Sequence, residues 1–222
     1  MNRLRRSKQK KAFTLIELLV VIAIIALLAA ILAPAVTKAL LKGQVTQTMN
    51  NGRNLFTLLF AKELDNPLGL TTVAGDNIAS WPEVGAYPDS TEYFSTLVTN
   101  PTFNLSYNFF AASGVKPATT VEQFKDGTLR NVWALTEGVS ASFKASSPVL
   151  FTQNITLNGR NISSFSKLEE KARPYGTRAA VIVGYGGSAF SIDADTAVGT
   201  NFNPVGTSTT AIYPLGEQEV DP

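Results

Sequence analysis

Residues 18–36, LLVVIAIIALLAAILAPAV, are nineteen consecutive positions without a charged side chain. At about 1.5 Å per residue, a helix of that length nearly spans a hydrocarbon core of about 30 Å. The pattern then changes. Across VTKALLKGQVTQTMNNGRNLFTLLFAKELDN, the apolar positions Val36, Ala39, Leu40, Leu41, Val45, Met49, Leu55, Phe56, Leu58, Leu59 and Phe60 recur mostly at helical spacing, which predicts an amphipathic helix. Asn50, Asn51 and Gly52 are weak helix formers, but the periodicity resumes at Leu55. One helix over 13–64, about 78 Å long, is therefore expected. Its 13–36 half is apolar all round, and its second half has one face for a globular head.

After the helix the signals weaken. From 65 to 130 the prolines Pro67, Pro82, Pro88, Pro101 and Pro117 recur among Gly, Asn, Asp and Thr, which reads as an irregular, loop-rich segment with short helices. STEYFSTLV, 90–98, predicts one helix, with Ser90 as its cap and Tyr93, Phe94 and Leu97 on one face. TTVEQFKDG predicts a second. From 131 to 193 the pattern is that of strands: NVWALTEGV, SPVLFTQNIT, and RAAVIVGYGGSAFSID, the last as two strands around a turn near Gly186 and Gly187. The expected fold is α+β: a long N-terminal helix packed on an antiparallel sheet of about four strands. Trp133, Phe151, Val181, Val183 and Phe190 are its expected core. Residues 194–222 read as an extended tail, cover or loose end, with room for a short strand at TAIYP.

Charge changes this picture at one end. Arg3, Arg5, Arg6, Lys8, Lys10 and Lys11 all precede the apolar run, and no acid stands among them. The rest of the chain carries thirteen basic and seventeen acidic residues. A mildly acidic body gives no electrostatic reason to bind nucleic acid. The basic end instead orients the helix by the positive-inside rule, with 1–12 in the cytoplasm and the head across the membrane. The chain has no Cys and no His. Disulfides, thiolate metal sites and cysteine nucleophiles are excluded, and the commonest general base is missing. Enzyme readings weaken accordingly, and no catalytic residue or organic cofactor is expected.

Hydropathy alone leaves two readings of the N-terminus open. An uncleaved anchor is one. A secretory signal peptide is the other, since Ala33 and Ala35 imitate a small-x-small cleavage site. Glu17 helps to decide. A carboxylate at the start of an apolar span is either hydrated at the interface or functional, because intramembrane acids are costly.

The segment KKAFTLIELLVVIAIIALLAAILAPAV resembles the N-terminus of type IV prepilins and type II secretion pseudopilins. The residues that carry the resemblance are the basic Lys10 and Lys11, Ala12, Phe13, the run Thr14-Leu15-Ile16-Glu17, the apolar span, and Pro34. The resemblance implies cleavage between Ala12 and Phe13 by a prepilin peptidase and N-methylation of Phe13. The family usually has Gly where this chain has Ala12, also a small residue. It implies an assembly role for Glu17, which pairs with the new amine of a neighbouring subunit within the apolar filament core. It implies a helix kink at Pro34. The implied partners are the peptidase, homologous pilin or pseudopilin subunits and an inner-membrane assembly platform. The implied location is the bacterial inner membrane, single-pass with a periplasmic head, and then a filament or pseudopilus.

Other motifs carry less. Asp193 and Asp195 form an Asp-x-Asp pair after a strand. This reads as a solvated turn, with calcium as the alternative, since hard cations take oxygen ligands and no third ligand is evident. Ser164 and Lys167 match Ser-x-x-Lys without the companion motifs of acyl-enzymes. GYGGSAF lies between two strands, so it offers no helix N-terminus for a phosphate. Asn104, Asn154 and Asn161 begin Asn-x-Ser/Thr triplets of a kind common by chance. Three functions follow: a structural filament or pseudopilus subunit, a minor pilin-like module presenting a recognition head at a filament tip, and a membrane-tethered enzyme. The last gives Glu17 no role.

Overall fold

The computed structural model describes residues 13–65, 81–83, 85–101, 103, 105–112, 115–126, 130–139, 143–158, 161–165, 175–176 and 178–192. The expected leader, the tail and its TAIYP strand lie outside them. The chain forms two compact units, Met1–Lys42 and Gly43–Pro222. Helix α1, Leu15–Asp65, contributes to both. In the first unit its large apolar side chains are solvent-exposed as far as Leu40, and Leu41 is half-buried.

The second unit is the α+β head. Its sheet has the order β1-β2-β5-β6, with β1 Trp133–Leu135, β2 Pro148–Thr152, β5 Ala180–Gly184 and β6 Ala189–Ile192, all neighbours antiparallel. Every residue of β2 and β5 is buried. Strands covered on both faces lose the apolar–polar alternation, which is why PVLFT and AVIVG read as continuous runs. On one face Trp133 and Val183 meet the helix at Gly52, where a Cβ would lie 2.5 Å from the Trp133 ring. That glycine lets helix and sheet approach closely. Val45, Thr48, Leu55, Phe56 and Leu59 on the same stretch of helix are buried. On the sheet's other face Phe151, Ile155, Ala180 and Ile182 cluster, with Phe190 and Ile192 packed against them.

The expected hairpin is β5–β6. Its four-residue connection, Tyr185 to Ser188, closes with Gly187 N–H donating to Gly184 O at 2.8 Å, and Gly187 takes φ +76°, a left-handed position that favours glycine. Of the expected core, Trp133, Phe151, Val181 and Val183 are buried, whereas Phe190 is half-buried.

The outer edge of β1 is occupied by side chains. Asn131 accepts from Trp133 N–H through Oδ1 at 2.9 Å and donates through Nδ2 to Trp133 O at 2.8 Å. Gln153 Nε2 donates to the same carbonyl at 3.0 Å, and Ser90 Oγ accepts from Leu135 N–H at 3.1 Å.

Two short helices precede the sheet, α2 Ser90–Thr99 and α3 Val121–Lys125. The cap of α2 corrects the sequence reading. Asp89 is its N-cap and accepts from Glu92 N–H at 2.8 Å. Ser90 is buried and committed to β1. An ionised carboxylate at the N-cap also complements the helix dipole. A second correction concerns SPVLFTQNIT. The chain turns at Gln153 and Asn154, and β3 Ile155–Asn158 pairs with β4 Asn161–Phe165 as a separate two-stranded sheet.

Candidate assembly segment

The start of α1 is fixed by a reciprocal arrangement of Thr14 and Glu17. Glu17 Oε2 accepts from Thr14 N–H and from Thr14 Oγ1, each at 2.8 Å. Glu17 N–H donates back to Thr14 Oγ1 at 3.3 Å. This is a capping box: the first turn of a helix has N–H groups without intrahelical partners, and a Thr-x-x-Glu pair satisfies two of them. The sequence reading treated Glu17 as a charge and took Thr14 as part of the motif without its capping role. The signal was present, since Thr14-x-x-Glu17 directly precedes the apolar run.

Beyond the box, Phe13 is 75% exposed, and the apolar side chains of 15–32 stay open as well. By length and composition α1 can cross a membrane. Pro34 lies inside the continuous helix, and Thr37 Oγ1 donates to Pro34 O at 3.0 Å. Proline has no N–H to give its own turn, and Thr37 binds the Pro34 carbonyl through its side chain.

The head brings its polar groups together for structure. Tyr175 donates to Gln44 O at 3.0 Å, so Thr48 Oγ1 supplies the proton for their mutual 2.5 Å bond. Burial pushes the Tyr175 phenol above its usual range, partly offset by Thr48. Burial pushes Tyr93 up more strongly. Glu63 accepts from Trp81 Nε1 at 2.8 Å, and Glu137 from Gly85 N–H at 2.9 Å. Among the described residues no group of three or more metal-binding side chains gathers. Ala12, Lys167, Asp193 and Asp195 lie outside the described residues. Ser164 stands in β4, paired with Thr156. Gly186 and Gly187 form the hairpin turn.

Residues 7–33 match the family model described as the prokaryotic N-terminal methylation motif. The match falls on the segment whose residues carry the resemblance to prepilins, and that segment opens the helix expected for assembly. The match spans that segment and not the head. No curated protein and no solved structure matches the chain.

Proposed function

We propose that this protein is a structural subunit of a type IV pilus-like filament or type II secretion pseudopilus. The observation that carries the reading is the methylation motif at 7–33, leading into a helix whose large apolar side chains stay exposed from Leu15 to Leu32. A prepilin peptidase hydrolyses the Ala12–Phe13 amide and frees the Phe13 amine. A sulfonium methyl donor then replaces one N–H of that amine with a methyl group and releases a proton. The subunit waits in the inner membrane with its head in the periplasm, and an assembly platform adds it to homologous subunits. Glu17 of one subunit pairs with the Phe13 amine of its neighbour. Pairing offsets the cost of carrying either charge into an apolar core, and it disfavours any register that leaves Glu17 alone. Pro34 bends the packed helix.

The test is the intact mass and N-terminal sequence of the protein from membranes with and without the peptidase. A chain that begins at N-methyl-Phe13 only when the peptidase is present is the expected result. An uncut chain, or one cut near Ala35, overturns the proposal.

A further inference from the structure

The four-stranded sheet has two edge strands, β1 and β6. Side chains fill the edge of β1. The edge of β6 is filled only at its start. Gly184 N–H donates to Ser188 O at 2.9 Å, and hydrogen-bonded pairs recur at every second position of an antiparallel ladder. Phe190 and Ile192 therefore turn their backbone groups toward Ile182 and Ala180 of β5. Ala189 and Ser191 turn theirs outward. Arg53 Nη2 of α1 donates to the outward Ala189 carbonyl at 3.0 Å. Among the described residues, nothing takes the outward N–H or carbonyl of Ser191, which is exposed.

Residues 193–222 follow β6 in the chain, and 210–214, TAIYP, have the β-branched and aromatic character of a strand. We propose that 210–214 add to the β6 edge of the same chain as an antiparallel strand, with Ile212 opposite Ser191. One position sets the register. Pro214 then stands opposite Ala189, where the N–H of a partner strand would donate to the Ala189 carbonyl. Arg53 already holds that carbonyl, and proline has no N–H to give. Ile212 makes both bonds with Ser191. A shift that puts Ile212 opposite Ala189 aims its N–H at the carbonyl that Arg53 holds. The side chains agree with this register. Opposite residues share a face, so Tyr213 falls beside Phe190 and Ala211 beside Ile192, on the face where Phe151 and Ile182 cluster. Gly199, Pro204 and Gly206 give the connection its turn residues. The added strand closes the second edge of the sheet. None of this rests on the filament reading.

The chain has no cysteine, so an introduced pair is the only source of a disulfide. Full-length Ser191→Cys/Ile212→Cys is oxidised with copper phenanthroline in dilute detergent micelles, beside Ser191→Cys/Ala211→Cys. Cα atoms of a hydrogen-bonded pair lie about 5.5 Å apart, within disulfide reach. Ala211 falls on the opposite face. An intramolecular disulfide is expected in the first variant, in about fivefold or greater excess over the second. Amide exchange at Ser191 is then compared between wild type and Ile212→Pro, which keeps the chain length and loses the donor. Exchange faster by about tenfold or more is expected in the variant, with Ile182 unchanged inside the sheet. Absence of the disulfide, equal yields from the two pairs, or unchanged exchange at Ser191 overturns the proposal. A rise at Ile182 as large as that at Ser191 also overturns it, since the effect is then not confined to the edge. A disulfide that links two chains does so too, and assigns the edge to a second copy.

Discussion

The two stretches of α1 share a backbone and differ in what surrounds them. Over 15–42 the sequence is the more hydrophobic, yet Leu27 is 63% exposed. Over 43–65 it is interrupted by Gln, Asn, Thr, Arg and Lys, yet Leu59 is 0% exposed. Hydrophobicity therefore does not report which part of this helix stabilises the head. The mixed stretch does, because Gly52 and Thr48 stand where the sheet and Tyr175 need them. The more apolar stretch leaves its large side chains uncovered from Leu15 to Leu40, and under the function proposed above its value lies in association.

That contrast can be broken most sharply at Leu59. Leu59→Ala is expected to destabilise the head by about 2–5 kcal/mol, measured by urea unfolding of the full chain in detergent micelles. The two tryptophans, Trp81 and Trp133, both buried, report the transition by fluorescence. Leu27→Ala is its counterpart and should leave that midpoint unchanged within about 0.5 kcal/mol. An equal loss from both would show that the stretches stabilise the head alike.

Gly52→Ala follows in size. Alanine gains about 1 kcal/mol of helix propensity, but its Cβ meets the Trp133 ring at 2.5 Å and Val183 at 2.9 Å. Overpacking wins, and a net loss of about 1–3 kcal/mol is expected in the same unfolding measurement. A stabilised variant would mean that the helix can stand off from the sheet. Asp89→Ala should cost about 0.5–2 kcal/mol through the lost α2 cap, more than Ser90→Gly should cost through the cap. A neutral Asp89 variant would return that role to Ser90.

The smallest effect concerns the clasp on the helix. Tyr175→Phe leaves Thr48 without its buried partner and is expected to cost about 0.5–1.5 kcal/mol at neutral pH. Burial raises the folded-state pKa of Tyr175 above the unfolded value of about 10. Its contribution is thus fully present below pH 10 and is lost as pH rises through the folded pKa. The fall in stability above pH 10, followed by the same denaturation, should be shallower in Tyr175→Phe. It should not vanish, because burial raises Tyr93 as well. An unchanged pH profile would show that Tyr175 is not protected.

Much of this architecture was legible in local patterns. The helix followed from periodicity, and AVIVGYGGSAFSI showed a hairpin because glycine is favoured at a left-handed turn position. The misses have physical causes. Asp89 and Ser90 both suit an N-cap, and only the sheet reveals that Ser90 is engaged elsewhere. Gln153 and Asn154 interrupt SPVLFTQNIT, but strand-favouring residues flank them closely enough to hide the turn. Gly52 looked like a weak point in the helix, and its meaning depends on Trp133, far along the chain. Thr14 was masked by its neighbour, since Glu17 drew the reading toward charge and away from the local hydrogen bonds it completes.

The side chain of Asn131 bonds to both the N–H and the carbonyl of Trp133, as the backbone of another strand would. It serves as a stub of a fifth strand, one amide long. Molecules held at high density with their heads side by side are at risk of joining sheet edges into open-ended aggregates. The stub closes that route along β1. A strand from a second copy would find the outward N–H and carbonyl of Trp133 already engaged.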